Sequence, residues 1–321
     1  MSDGTAFARE ELRRVAIPGR SAAVAIGVFD GVHRGHRHLI GHLVDRARRD
    51  GLAALVVTFH PHPRSVLRPE TPLTYLCGLE ERVELLRALG VDDVAILAFT
   101  SELAQLSARD FVSLLVQELR MKLMVVGSDF ALGRGREGTA DVLAAIGGEM
   151  GFAVDLVPLL AAGGEKVGST AVRQALAHGD METVASLLGR PFDLRGPVVK
   201  GAERGKGLGF PTANMAFGQD RALPAFGVYV TRAYLRQGVY RALTNIGLRP
   251  TFGARGGRAS GGGEDKPTVE TFIVDFQGEV YGQELRIELL HRLRGEIRFP
   301  SPEALREQIE KDVAATRAYL S

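Results

Sequence analysis

The stretch Val24-Ala25-Ile26-Gly27-Val28-Phe29-Asp30-Gly31-Val32-His33-Arg34-Gly35-His36, which runs straight into Arg37 to Asp50, decides the reading of the first half of the chain. Val24 to Phe29 is apolar and short, as expected of a buried strand. His36 to Asp50 has Leu39, Ile40, Leu43, Val44 and Ala47 at helical spacing, and Gly51 ends it. A glycine-rich turn between a strand and a helix N-terminus is where a parallel α/β sheet places its ligands. The unpaired N–H groups and positive dipole end of such a helix favour phosphate. Gly31 and Gly35 let backbone approach a ligand closely, and His33 and His36 add imidazole donors at the same spot.

Outward from this turn, strand and helix patterns alternate. Strands are expected at Leu52 to Phe59, Val94 to Phe99, Leu123 to Gly127 and Phe152 to Val157, and helices at Glu80 to Leu89 and Ser107 to Arg120. Ser107 with Asp110 reads as a capping box. The alternation predicts a Rossmann-like parallel sheet with helices on both faces. Two short helices follow, at Thr170 to Ala177 and Met181 to Leu188.

The rhythm changes after Gly189-Arg190-Pro191. Short alternating β-prone runs now dominate, at Gly196 to Val199, Gly227 to Tyr234, Tyr240 to Ile246, Thr268 to Phe276 and Glu284 to Leu290. With their Gly- and Pro-rich turns they predict a small antiparallel barrel or sandwich, closed by a helix over Pro302 to Tyr319 that Ser301 caps. The domain boundary is placed near residue 185, giving 1–185 and 186–321. Residues 253–266 are of low complexity and read as a hairpin loop.

Composition narrows the function classes. The 321 residues are 45% hydrophobic and 24% charged, which suits two globular domains. Lys plus Arg number 40 against 38 for Asp plus Glu, too even a balance for a nucleic-acid binder. The single cysteine, Cys77, fits a reducing compartment and a structural role. The N-terminus lacks a signal-peptide core and no run is long enough to span a membrane, so a cytoplasmic protein with no membrane partner is expected. Oligomeric state is not legible.

The turn at 27–36 suits nucleotidyl transfer, in which an incoming phosphate attacks the α-phosphorus of ATP and pyrophosphate leaves. That chemistry needs positioning and charge stabilisation rather than a nucleophilic side chain. The competing reading makes His33 and His36 half of a metal site with His60 and His62, but the H-E-x-x-H pattern is absent. His38 and His42 are expected on a solvated helix face. Gly133-Arg-Gly135-Arg-Glu-Gly138 fits a dinucleotide fingerprint literally but does not directly follow an apolar strand, and Gly201 to Gly207 misses a phosphate-binding loop by one position and by its hydroxyl residue. Gly168-Ser169-Thr170-Ala171-Val172-Arg173 offers hydroxyls and an arginine one turn later. It reads either as a phosphate clamp or as an ordinary helix cap.

In the second half, Gly205-Lys206-Gly207-Leu208-Gly209-Phe210-Pro211-Thr212-Ala213-Asn214 combines a pliant backbone with Thr212 and Asn214 two apart, on one side of an extended chain. Their oxygens suit a magnesium ion bridging ATP phosphates. Glu270 is expected on the side of Phe272, Val274 and Phe276. A carboxylate in such company needs a task or a partner, and a general base for a substrate hydroxyl is one such task.

Together the segments GVFDGVHRGH (27–36), TFHPHPRSVL (58–67), VVGSDF (125–130), STAVR (169–173), GRPF (189–192), RGKGLGFPTAN (204–214), NIGLRPTFG (245–253), VETFIVDF (269–276) and YGQELRIELLHRLRGEIRF (281–299) resemble the bacterial bifunctional riboflavin kinase/FAD synthetase family. The resemblance implies an N-terminal α/β nucleotidyltransferase domain and a C-terminal β-barrel kinase domain. Riboflavin, FMN and ATP would be substrates, Mg2+ the metal, and FMN and FAD the products. In the adenylylation site it implies ATP contacts from Phe29, Asp30, Gly31, His33, Gly35 and His36, with Ser169, Thr170 and Arg173 supporting the triphosphate. His60, Pro61, His62, Pro63 and Asp129 would lie near flavin or nucleotide. In the kinase site, Gly205, Gly207, Gly209, Pro211, Thr212 and Asn214 would hold Mg-ATP, with Thr212 and Asn214 towards the metal. Glu270 would be the base on the ribityl 5′-hydroxyl, and Arg298 and Phe299 would lie near the flavin. Departures from the family pattern fall at Leu132, Gly168 and Phe272, none of them assigned to chemistry. The alternative from another class is a flavin- or nucleotide-binding regulator without catalysis.

Overall fold

The computed structural model describes residues 3–162, 165–201, 209–248 and 267–320. Gly205, Gly207 and the expected hairpin at 253–266 lie outside the described residues. The chain divides into two compact units between Ala171 and Val172. The boundary read from the sequence, near residue 185, is later than this division. The helices bridging the two positions account for the difference, because one of them packs on the second unit.

In the first unit, α1 (Asp3–Val15) precedes β1 (Ala22–Ile26), α2 (Arg34–Arg49), β2 (Ala53–His60), α3 (Pro63–Leu67), α4 (Leu79–Arg87) and β3 (Asp93–Ala98). Then come α5 (Ser101–Ala104), α6 (Ala108–Leu119), β4 (Met121–Gly127), α7 (Ala140–Met150) and β5 (Ala153–Val157). A two-residue ladder joins β6 (Ala161–Ala162) to β7 (Glu165–Lys166). The five main strands form a parallel sheet in the order β3-β2-β1-β4-β5. Strand alternation divides the core between the two faces. Ala22, Val24, Ile26, Leu55 and Val57 pack with Leu12 of α1, Phe111 and Leu115 of α6 and Leu143 of α7. Ala23, Ala25, Ala54 and Val56 pack with Ile40, Leu43, Val44 and Ala47 of α2 and Leu86 of α4. Each large aliphatic side chain fully buried here is worth about 1.5–3 kcal/mol.

The second unit holds the rest of α8 (Ser169–His178), then α9 (Met181–Leu188), β8 (Phe192–Val199), β9 (Thr212–Met215), β10 (Gly227–Leu235), β11 (Gly238–Leu248), β12 (Pro267–Ile273), β13 (Glu284–Arg294) and α10 (Pro302–Tyr319). Helix α9 packs on β8 and β13. The six strands close into an antiparallel barrel, in the order β10-β11-β12-β9-β8-β13. Its inner positions include Leu194, Ala213, Ile246, Val269, Ile287 and Leu289, together with a chain of buried threonines. Thr244 Oγ1 lies 2.9 Å from Thr231 Oγ1 and 3.0 Å from Thr271 Oγ1. Helix α10 covers an outer patch made by Val228, Leu243, Phe272 and Val274, into which Val313 and Ile309 insert. A doubly bonded ion pair between Arg294 and Asp312, at 3.0 and 2.8 Å, pins it.

The structure corrects several expectations. The first strand ends at Ile26, not Phe29, because Phe29 takes φ 53° and leaves the sheet. Helix α1 and strand β9 were not expected. Leu12 and Ala8 of α1 are buried, and β9 is a four-residue piece directly behind Pro211. The strand expected over Thr268 to Phe276 stops at Ile273, since Asp275 takes φ 58°. Phe276 therefore leaves Glu270's row and packs edge-on against Tyr240. His42 is not simply solvated: it bonds Asp155 at 2.8 Å, with Arg46 beside it.

Candidate active sites

The turn after β1 is built under strain. Phe29, Gly31 and Val32 all have positive φ, at 53°, 78° and 40°, and such conformations in non-glycine residues cost on the order of 1–3 kcal/mol each. The surroundings hold them. The Asp30 carboxylate, 2% exposed, accepts the backbone N–H groups of Leu76 at 2.9 Å and Cys77 at 3.3 Å. Cys77 Sγ in turn accepts the Gly31 N–H at 3.1 Å. Burial, then the Asp30 charge, pushes the Cys77 thiol up to about 12, so Cys77 supports the turn as a neutral thiol.

His33 is the N-cap of α2, and its Nδ1 accepts the His36 N–H at 3.3 Å. A neutral His33 therefore carries its ring proton on Nε2. The His36 ring stacks on His33, with centroids 3.5 Å apart, and meets Phe29 edge-on at 5.1 Å. Burial holds His36 well below the usual imidazole range, and the charges of His33 and Arg82 push the same way. His36 is thus a neutral ring at physiological pH. A Cβ on Gly35 would lie 3.2 Å from the His33 ring and from the Val167 carbonyl oxygen, so the glycine lets the turn close.

Of three other predicted segments, one bonds the turn directly. Ser169 Oγ, at the start of α8, donates to the Asp30 carbonyl at 3.1 Å. Thr170 is exposed beside it, and Arg173 follows one turn along the same helix. Asp129 is exposed beyond the end of β4, where its Oδ1 approaches Gly127. Strands β1 and β4 are neighbours whose connections run to opposite faces of the sheet, the switch point where such sheets bind ligands. His60, Pro61, His62 and Pro63 follow β2. The His62 N–H donates to the Tyr75 hydroxyl at 2.8 Å, and the His60 ring lies 5.9 Å from Tyr75. Among the described residues no group of three or more His, Cys, Asp or Glu side chains is placed to hold a metal ion. The Gly133–Gly138 segment closes a small loop by pairing Leu132 with Gly138, and a Cβ on Gly133 or Gly138 would strike Ala108.

The barrel site comes from register. Glu270 lies directly opposite Asn214 of β9 on one side and Asn245 of β11 on the other. Thr212 lies opposite Phe272. Thr212, Asn214, Asn245 and Glu270 therefore share one face of three neighbouring strands. It is the outer face, because Val269, Thr271 and Ile273 point inward. Phe210 meets Phe272 edge-on at 5.3 Å beside it. A Cβ on Gly201 would strike the Asn214 amide, and one on Gly247 would strike the Glu296 carboxylate, so glycines admit both polar groups. Gly209 takes φ 86° just before Pro211. Arg298 is exposed, while Phe299 sits 5.7 Å from the Arg294 guanidinium. Asn245 and Glu296 were not singled out from the sequence. Both lie inside matched segments, but only strand register shows that Asn245 flanks Glu270.

The family model for FAD synthetase matches residues 18–171 and that for riboflavin kinase residues 188–320. The bifunctional riboflavin kinase/FMN adenylyltransferase of Bacillus subtilis is 35% identical, covering 94% of this chain and 93% of its own. This chain belongs to that bifunctional family. The Escherichia coli K12 relative is 36% identical, over 94% of both chains, and that of Pseudomonas fluorescens 38%, over 93% of both. A crystal structure described as the macrolide-efflux protein of Streptococcus pneumoniae superposes with a TM-score of 0.84 at 31% identity, covering 95% of this chain and 96% of that one. Among the described residues of this family member, no helix is long and apolar enough to cross a membrane.

Proposed function

We propose that the chain performs both reactions for which its family is named, each at the site described for it. In the barrel, the riboflavin 5′-hydroxyl attacks the γ-phosphorus of ATP. The Glu270 carboxylate takes the hydroxyl proton, and ADP leaves with the bond broken between the β–γ bridging oxygen and the γ-phosphorus. Thr212 and Asn214 offer uncharged oxygens beside Glu270, a donor set suited to Mg2+ that keeps phosphate and water ligands. When bound, Mg2+ supplies neutralisation of phosphate charge. Arg298 and Phe299 are assigned to the flavin side.

In the α/β unit, an FMN phosphate oxygen attacks the α-phosphorus of ATP, and the bond to the α–β bridging oxygen breaks to release pyrophosphate. The N-terminus of α2, the His33 Nε2–H and the neutral His36 ring bind the phosphates. Phe29, Asp30, Gly31 and Gly35 shape the turn, and Ser169, Thr170 and Arg173 serve the triphosphate from α8. His60 to Pro63 and Asp129 are assigned to the vicinity of flavin or nucleotide. In functional terms the adenylyltransferase is assigned to 1–185 and the kinase to 186–321.

The observation that carries this reading is that each matched segment assembles its own constellation. One sets His33, His36 and Ser169 around the Asp30 turn; the other sets Thr212, Asn214 and Glu270 on one barrel face. The test is a time course with riboflavin, ATP and Mg2+, resolved by chromatography. FMN is expected first and FAD after it, with ADP and then pyrophosphate. Tight flavin binding without ATP consumption would favour a regulator instead.

A further inference from the structure

Arg82, in the second turn of α4, is 0% exposed and leads the fully buried side chains in volume. Its Nη1 donates to the Phe59 carbonyl at 3.1 Å and reaches Thr58 Oγ1 at 3.4 Å. The Thr58 hydroxyl donates to the Val28 carbonyl at 2.9 Å, at the entrance of the strained turn. The Tyr75 ring lies 5.8 Å from the guanidinium carbon. The Nε and Nη2 atoms are buried without a hydrogen-bond partner among the described residues, as is His36 Nδ1. The charge is close enough to act on both His36 and Cys77, and the buried carboxylates of Asp30 and Glu81 act on Cys77 with the opposite sign.

Such a placement has no structural economy. A guanidinium cannot shed its proton, and a buried cation short of partners costs several kcal/mol that an apolar residue of similar volume would avoid. The cost is offset when an anion arrives nearby, because a fixed charge in a low-dielectric site acts more strongly than one in water. A feature built for an anion within reach of this charge is the N-terminus of α2 with its two histidines, since the charge acts on His36.

We propose that Arg82 is a positioning residue of the adenylyl-transfer site, a buried fixed cation that favours the triphosphate from behind His36 and braces the Val28–Phe29 turn through Thr58. The proposal rests on the reading of the His33–His36 turn as the adenylyl-transfer site.

Three variants of the full chain test it: Arg82→Met, Arg82→Lys and Thr58→Val. Each is assayed for adenylylation of supplied FMN, for riboflavin phosphorylation, for unfolding temperature and for the His36 titration followed by NMR. Arg82→Met is expected to lower the adenylylation kcat by about tenfold or more, with riboflavin phosphorylation unchanged. Its unfolding temperature is expected to fall only modestly, through loss of the bonds to Phe59 and Thr58, while kinase activity holds. Arg82→Lys should recover part of the rate, and Thr58→Val should lose less than Arg82→Met. Burial holds the His36 pKa down most, with the charges of His33 and Arg82 adding to it, so the His36 pKa should rise part-way in Arg82→Met and stay low in Arg82→Lys. That last readout needs no turnover. If wild-type chain made FMN but no FAD, the site reading would fail while the electrostatic link was still measured. Equal losses in Met and Lys variants, an unchanged kcat in Arg82→Met, or a parallel fall of both activities and of unfolding temperature would each overturn the proposal.

Discussion

The two sites reach comparable chemistry by opposite constructions. The α/β site is nearly contiguous: Phe29 to His36 supply a strained turn, an N-cap and two stacked imidazoles, and the rest of the unit holds that turn in place. The barrel site has no such segment. Thr212 and Asn214 come from β9, Glu270 from β12 and Asn245 from β11, and only the pairing of those strands brings them together. A contiguous turn is sensitive to any residue that alters its backbone. A site set by register is robust to local change but would vanish on a one-residue slip, which would put Thr271 where Glu270 stands.

The largest effect that could break this contrast is at Glu270. Glu270→Gln keeps the size and the register but cannot accept a proton. Riboflavin phosphorylation is expected to fall by about 10²- to 10⁴-fold, with adenylylation of supplied FMN unchanged. A Gln variant that phosphorylates normally would remove the general base and leave the row Asn214–Glu270–Asn245 as a binding feature only.

Next comes His33, where capping and chemistry can be separated. Asparagine is a good N-cap, so His33→Asn should keep α2 near wild-type stability, whereas His33→Ala should lose about 1 kcal/mol by denaturation. Both should reduce FAD formation by about 10²-fold, since both remove the imidazole donor. If His33→Asn restored the rate, His33 would be a cap and the phosphate-binding role would pass to the helix terminus alone.

These two sites also differ in how far the sequence discloses them. The turn was legible because its glycines and histidines are adjacent, and their spacing alone implies a helix N-terminus. What was not legible is that Phe29 leaves the strand: an apolar residue continuing an apolar run reads as strand until the turn's backbone is seen. Arg82 was invisible for a related reason. A charged residue in Glu80-Glu81-Arg82-Val83-Glu84 reads as a solvated helix face, and only the packed unit shows it at 0% exposure. In the barrel, Thr212 and Asn214 were found from their spacing, but β9 itself was missed because four residues between Pro211 and a loop carry too little pattern. Asn245 needed a long-range pairing that no local window contains. Alternation puts Glu270 with Phe272, but by itself it does not say which face is interior. Thr271, an inward polar residue satisfied by Thr244, is why composition could not decide.

A pH experiment sharpens the contrast without substrate. Burial depresses the His36 pKa in the folded chain below its unfolded value. The unfolded chain therefore binds the proton more readily, and stability falls as pH drops below the ordinary imidazole range towards the folded value. His36→Gln, which removes the titrating group, should flatten that part of the denaturation profile. An unchanged slope would mean that His36 is not held neutral by the fold.

The smallest expected effect on activity lies inside the barrel, directly behind the kinase face. Thr244 links Thr231 and Thr271 across three strands, all with 0% exposure, and its neighbour Asn245 faces outward beside Glu270. Thr244→Val preserves shape but leaves two buried hydroxyls to find other acceptors, at a cost of about 1–3 kcal/mol in chemical denaturation. Thr244 pairs directly with Thr271 and meets Thr231 diagonally, so the hydroxyl chain favours one register of β10, β11 and β12 over its neighbours. If fixing register is its work, the folded fraction of Thr244→Val phosphorylates riboflavin at the wild-type kcat, because β11 still presents Asn245 outward. A variant that kept its stability but lost kcat would instead make the threonines part of the active face. The distinction between a core that sets the register and a surface that uses it would then no longer hold for this barrel.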